Sequence, residues 1–188
     1  MGLNNDCSVR KKYTDIYIDA FNEVIDLYES EGVIPKGMLK LTSINDHVLD
    51  EWFKSWYGKS NRFKHGNWHW DRMIAKRRKK CKRFDLAIWS GEVLCGLTLG
   101  GVSRGNKTVR IDYIEANPNK HPLDKKIAGI AIAVAISVGQ KINASHVAIF
   151  NPVNDKVESL YREFGFQRMS LYGRFLKNVM YLEVPSPN

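Results

Sequence analysis

One stretch, Lys107 to Phe166, restricts the possible folds of this chain more than any other. Thr108-Val-Arg-Ile-Asp-Tyr-Ile-Glu-Ala116 is rich in β-branched and aromatic residues and reads as a strand. A proline-punctuated loop, Asn117 to Pro122, leads to a small-residue helix over Leu123 to Lys141. Ser145 to Asn151 reads as a second strand, and an amphipathic helix over Val153 to Phe164 closes the unit at Gly165-Phe166. Two strands joined through a helix pair in parallel by a right-handed crossover. The crossover sets a helix N-terminus, with free N–H groups and a positive dipole end, beside the carboxyl ends of the central strands. An anionic group suits that place.

The remaining elements arrange themselves around this unit. Tyr13, Ile16, Tyr17, Ala20, Phe21, Val24, Leu27 and Tyr28 recur at helical spacing, and Gly32 supplies a left-handed cap. This predicts an additional N-terminal helix over 13–32, with residues 1–12 flexible. Met38 to Ile44 reads as a short strand. Asn45 then caps a helix with Val48, Leu49, Trp52, Phe53 and Trp56 on its inward face. Gly58 to Gly66 is a basic loop, and Asn67 is placed to cap a helix that turns Trp70, Met73 and Ile74 inward. Phe84 to Trp89 and Val93 to Val102 are strands joined at Gly91-Glu92, and Gly105-Asn106 turns the second into Thr108. Phe166 to Tyr172 and Phe175 to Val184 form a closing hairpin across Gly173-Arg174. The order predicts one α/β domain over 1–188: a mixed, mostly antiparallel sheet of about seven strands, with a central βαβ unit and flanking helices.

Charge narrows the partners. The net charge is +9, and eight Lys or Arg residues fall among the twelve from Arg72 to Arg83. A solvated helix end accounts for such a run; recognition of RNA or an acidic partner is the functional alternative. Trp52 and Trp56, four apart, read as core residues. Trp68, His69 and Trp70 are consecutive and cannot all point inward, so one of them is free to line a groove. The three cysteines make no disulfide set or metal-ligand spacing, which fits a reducing cytoplasm. The polar N-terminus lacks a signal core, and the longest apolar run, Ile127 to Val138, is too short to span a bilayer. A cytoplasmic protein without membrane contact is expected.

The segment Asn154-Asp-Lys-Val157-Glu-Ser-Leu160-Tyr161-Arg-Glu-Phe-Gly165-Phe166 resembles the corresponding motif of the GNAT superfamily of acyl-CoA N-acyltransferases. Gly91-Glu-Val-Leu-Cys-Gly96 is similar to its second and third strands, and Ile114-Glu-Ala116-Asn-Pro118 to its fourth. The resemblance extends over roughly residues 38 to 184, with Asn154 to Phe166 its most specific part. It implies acetyl-CoA as acyl donor, a primary amine as acceptor, direct attack on the thioester and no metal. In the family the central strands splay and the pantetheine lies between them.

By this resemblance, backbone amides of Ile114, Glu115 and Ala116 face the thioester carbonyl, Tyr161 protonates the departing thiolate, and Asn154 reaches the cofactor. Acyl transfer needs just such an oxyanion stabiliser and proton donor. The diphosphate falls to the turn of Lys125, Lys126, Ile127 and Ala128. There the chain departs from the glycine-rich family pattern: in Leu123-Asp-Lys-Lys-Ile-Ala128 only Ala128 fits, and the preceding loop is two residues longer. Lysine charge would replace close backbone approach, with Asp124 opposing it in the first helical turn.

The general base is open. On a regular strand Arg110, Asp112, Ile114 and Ala116 share one face, and Tyr113 and Glu115 the other. Asp112 is the first candidate, set against a salt bridge to Arg110; Glu115 is the second, and His121 reads as an exposed loop residue. Tyr161 also completes a packing stripe with Val157, Leu160 and Phe164. Three readings remain: an N-acetyltransferase of small or protein amines, one acting on tRNA or aminoacyl-tRNA, and a degenerate GNAT-like binding module. A homodimer is left open.

Overall fold

Antiparallel pairing runs through the whole sheet except at one junction. The computed structural model describes residues 3–62, 66–171 and 174–186. In chain order the elements are α1 (Leu3–Ser30), β1 (Leu39–Thr42), α2 (Asp46–Ser55), α3 (Trp70–Arg77), β2 (Arg83–Ser90), β3 (Val93–Val102) and β4 (Thr108–Ala116). Next come α4 (Ile127–Lys141), β5 (His146–Phe150), α5 (Asp155–Glu163), β6 (Gln167–Leu171) and β7 (Arg174–Glu183). The seven strands lie in the order β1-β2-β3-β4-β5-β7-β6, and β4–β5 is the parallel pair that the α4 crossover requires. The mixed, mostly antiparallel α/β sheet with its central βαβ unit is therefore as the sequence reads.

Two apolar layers cover the sheet. On one face, α1 and α4 bury Tyr17, Phe21, Val24, Ile130, Val134 and Val138 against Leu86, Val109, Ile111 and Val147. On the other, α2 and α3 bury Val48, Trp52, Trp56, Trp70 and Ile74 against Ala87, Trp89, Leu97 and Leu99. The α1–α4 contact carries polar ties as well: Ser137 Oγ donates to Glu23 at 2.7 Å, and Lys141 Nζ lies 2.9 Å from the same carboxylate.

Several local expectations change. The first helix begins at Leu3, ten residues before the start read at Tyr13, so residues 3–12 belong to α1 rather than to a flexible tail. Asn45 caps α2 as expected, its Oδ1 accepting from Val48 N at 3.0 Å, but Phe53 is 61% exposed and stacks on Tyr57 rather than entering the core. Asn67 does not cap α3; His69 occupies the N-cap without a side-chain hydrogen bond. The turn read at Gly173-Arg174 falls partly outside the described residues. The basic run is only in part the solvated helix end expected, because α3 ends at Arg77 and the cations beyond it lie on turns and the start of β2. Arg78 meets Asp46, Lys82 donates to the Arg104 carbonyl, and Arg83 pairs with Asp85.

Candidate active site

A bulge in β4 creates the site. Leu99 pairs with Tyr113 and Gly100 with Ile111, which leaves Asp112 as the extra residue. Only glycine fits at position 100: a Cβ there would stand 1.8 Å from the Arg110 carbonyl oxygen. The bulge corrects the strand faces read from simple alternation. Asp112, Tyr113 and Glu115 all turn toward α3 and the segment before it, where they meet Arg77, Trp68 and Trp70, respectively, while Ile114 packs with the α1–α4 layer.

The β4–β5 ladder ends at the Ile111–Ile149 pair, yet β4 continues to Ala116. β5 stops one residue later at Phe150, and Asn151 turns it away with a left-handed φ of 54°. From Asp112 to Ala116 the β4 edge facing β5 has no ladder partner among the described residues. Backbone groups of a strand alternate between its two edges, so some face this opening. The opening is a cavity of about 430 Å³, of a size suited to a small-molecule site.

Most of the sequence-derived site residues line this cavity. Asp112, Ile114, Glu115 and Ala116 form the β4 wall. Lys125, Ile127 and Ala128 form the end at α4, and Tyr161 stands on the α5 wall with Val157 and Leu160. Lys126 and Asn154 do not reach it. Asn154 instead caps α5, its Oδ1 accepting from Val157 N at 2.9 Å, and so orients the helix that carries Tyr161. The Tyr161 ring is buried, lies 6.0 Å from that of Phe166, and has its hydroxyl pKa pushed up to about 12 by desolvation. Tyr161 therefore both packs against Phe166 and lines the cavity.

The entry to α4 differs from the reading of the sequence. The helix starts at Ile127 rather than Leu123, and residues 123–126 form turns. Lys125 takes the left-handed conformation (φ 62°) that a glycine would adopt without strain. The α4 N-cap has no side-chain hydrogen bond and the first turn no acidic residue, so Asp124 precedes the helix. Its first amide N–H groups therefore stay unshared, and both Lys125 and Asp124 line the cavity there, so the Asp124 carboxylate opposes the charge that Lys125 adds. Gly96 on β3 permits this packing: a Cβ there would lie 2.5 Å from Ile127 Cγ2. An open strand edge, apolar walls and a helix start with unshared amides together fit a pantetheine thioester and a diphosphate.

The three base candidates occupy different environments. Asp112 Oδ2 accepts from Arg77 at 2.7 Å and Oδ1 from Arg110 Nε at 3.0 Å, so the expected salt bridge forms twice over. Glu115 is buried. Arg62 Nε reaches its Oε1 at 2.8 Å, Arg62 Nη2 its Oε2 at 2.9 Å, and Trp70 Nε1 the same oxygen at 2.6 Å. Burial raises the Glu115 pKa, and these donors pull it back down. His121 is buried rather than exposed; desolvation lowers its pKa, and its Nδ1 has no partner among the described residues. It does not line the cavity.

Sequence reasoning missed Arg62, which ties the 58–62 loop to β4, and it counted Arg77 only as part of a basic run. Nothing in the periodicity marks Arg62. A deeply buried Glu115 does require a cationic partner, which could have prompted a search for one. Of the three consecutive aromatic residues, Trp68 lines the cavity, Trp70 is buried and His69 is exposed. Among the described residues no group of three or more His, Cys, Asp or Glu side chains is placed to hold a metal, and no helix is long and apolar enough to cross a membrane.

No protein-family model and no curated protein sequence matches this chain. Solved structures do. The ribosomal-protein-S18-alanine N-acetyltransferase of Escherichia coli superposes with a TM-score of 0.55 at 13% identity, covering 80% of this chain and 97% of that one. A putative GNAT-family acetyltransferase from Desulfovibrio desulfuricans gives 0.59 at 11% identity, covering 78% and 99%. The PaiA N-acetyltransferase of Thermoplasma acidophilum, solved in complex with coenzyme A, gives 0.53 at 13% identity, covering 77% and 98%. The chain has the GNAT acyl-CoA N-acyltransferase fold.

Proposed function

We propose that this protein is an N-acyltransferase that moves an acetyl group from acetyl-CoA to an amine by direct attack. The observation that carries the reading is the divergence of β4 from β5 beyond Ile111, which opens the strand edge into a cavity bounded by the α4 N-terminus and Tyr161. Acetyl-CoA would supply the activated acyl group.

In this reading the backbone of Ile114, Glu115 and Ala116 orients the acyl carbonyl. The amides opening α4, with Lys125, hold the diphosphate, and Lys126 contributes charge from outside the cavity. Asn154 acts through the helix it caps. Tyr161, with its pKa raised to about 12, keeps its proton at working pH and delivers it to the sulfur as the C–S bond breaks; the proton that the attacking nitrogen sheds as the amide forms returns, through solvent, to the phenol. Asp112 has both carboxylate oxygens engaged by guanidinium groups and fixes those arginines, and the amine enters neutral after losing its proton to solvent.

Release of free thiol from acetyl-CoA in the presence of an amine panel, with mass spectrometry of the products, tests the reading. Amine-dependent thiol release with N-acetylated product supports it. Binding of acetyl-CoA without turnover across a broad panel would favour a binding module instead.

A further inference from the structure

The central cavity continues into a second one of about 490 Å³ on the α3 side of β4. Trp68, Asp112, Tyr113, Phe150, Asn151 and Val153 line both, so a molecule in the second space reaches the acyl end of the first. What distinguishes the second cavity is charge. Arg77 from α3 and Arg110 from β4 both enter its wall and share one carboxylate, Asp112. Two cations against one anion leave a net charge of +1 there.

The guanidinium planes are held rather than free to swing. Arg77 lies over the Tyr113 ring at 5.5 Å and donates to the Gly100 carbonyl at 3.3 Å; Arg110 lies over the Phe150 ring at 5.2 Å. Asp112 engages Nη1 of Arg77, and Nε and Nη2 of Arg110. Among the described residues, Nε and Nη2 of Arg77 and Nη1 of Arg110 meet no acceptor. Fixed, planar, incompletely used guanidinium donors on an aromatic wall are suited to an oxyanion, carboxylate or phosphate. A polycationic acceptor would meet repulsion at the same surface.

We propose that the acceptor is a small amine that carries its own carboxylate or phosphate, gripped by Arg77 and Arg110 while the amino group faces the acyl donor. The inference rests on the transferase reading and names its substrate class. Because Asp112 fixes both arginines, its place on the bulge is a positioning role for acceptor binding.

The test compares four acceptor classes at fixed acetyl-CoA: amino acids, amino-sugar phosphates, polyamines and basic peptides. Acetyl-CoA affinity is measured separately by calorimetry. Amino acids or amino-sugar phosphates should be preferred, and which of the two wins identifies the oxyanion. Arg77→Gln and Arg110→Gln should each raise KM for the preferred acceptor about 10- to 100-fold, the loss of a charge-assisted hydrogen bond, with acetyl-CoA affinity unchanged. Arg110→Glu, on a side chain 42% exposed and thus tolerant of change, should lower the preference for anionic over cationic acceptors further. Polyamines or basic peptides serving as well as the anionic amines would overturn the acceptor class while leaving the transferase reading intact. Absence of acetyl-CoA binding would overturn both.

Discussion

Arg62 offers a deep test because it joins the loop before α3 to the strand that walls the cavity. Its side chain is 2% exposed and that of Glu115 4%. Arg62→Ala removes the two hydrogen bonds to Glu115, and a third to the Trp68 carbonyl at 2.9 Å, leaving the carboxylate with the Trp70 indole and the Trp68 backbone and no cation. Breaking a buried pair from one side costs about 3–5 kcal/mol, because the surviving charge stays desolvated. In a chain of this length, that lowers Tm by roughly 6–20 °C. The cost should depend on pH. Burial holds the Glu115 carboxyl above its ordinary range, and a raised value favours the fold below the unfolded-state pKa and loses that advantage as pH rises through the folded one. Removing Arg62 removes an influence that lowers the pKa, so the destabilisation should be larger at pH 7.5 than at pH 5. Urea unfolding at both values, with Arg62→Met/Glu115→Gln as comparison, reads this directly. The double variant should recover about 2 kcal/mol or more, since the neutral amide can still accept from Trp70. A single-variant loss under about 1 kcal/mol, or a double variant no better than the single, would refute the reasoning.

Other consequences follow from the same geometry. Tyr161→Phe should lower turnover about 10²-fold or more with acetyl-CoA affinity held within about twofold, as removal of a general acid does; equal turnover in stopped thiol-release assays would remove the acid role. Tyr161 itself should ionise near pH 12, seen as a high-pH tyrosinate absorbance step missing from the Phe variant. The stability it contributes by staying protonated should be complete below about pH 10 and fall away as pH approaches 12. Gly100→Ala must move backbone, because its Cβ would sit 1.8 Å from the Arg110 carbonyl; a loss of at least 1–3 kcal/mol in denaturant unfolding is expected, and a neutral result would deny the bulge. Gly96→Ala pushes on Ile127 and should weaken acetyl-CoA binding by calorimetry more than it weakens the fold.

Much of the fold was legible because period and punctuation agree. The alternation in β4, the small-residue α4 and the strand beyond it determine the parallel pair, and Asn45 and Asn154 cap the helices they precede. The bulge was not legible, since it depends on Gly100 lying opposite Arg110 across a strand pairing that no local pattern reveals. The assignment of Glu115 and Asp112 to one face was lost with it. Helix starts at Leu3, Trp70 and Ile127 were missed for different reasons. Polar residues at 3–12 carry no apolar stripe, His69 displaced the stronger capper Asn67, and left-handed Lys125 postponed α4 past the point its composition allowed. Of the site, Tyr161 and the β4 wall were readable from motif and order. Arg62 and Arg77 were not, because tertiary contacts alone bring them to carboxylates 53 and 35 residues away.

The central claim is that the space between β4 and β5 accepts the thioester end of acyl-CoA while the start of α4 holds its diphosphate. Thermal unfolding with and without acetyl-CoA tests it most directly. Ligand at about 100 times its dissociation constant should add about 2.7 kcal/mol of stability, or roughly 5–11 °C in Tm for a chain of this size. Gly96→Ala, which crowds the α4 entry, should shrink the shift. A Tm unmoved by saturating acetyl-CoA would contradict the account.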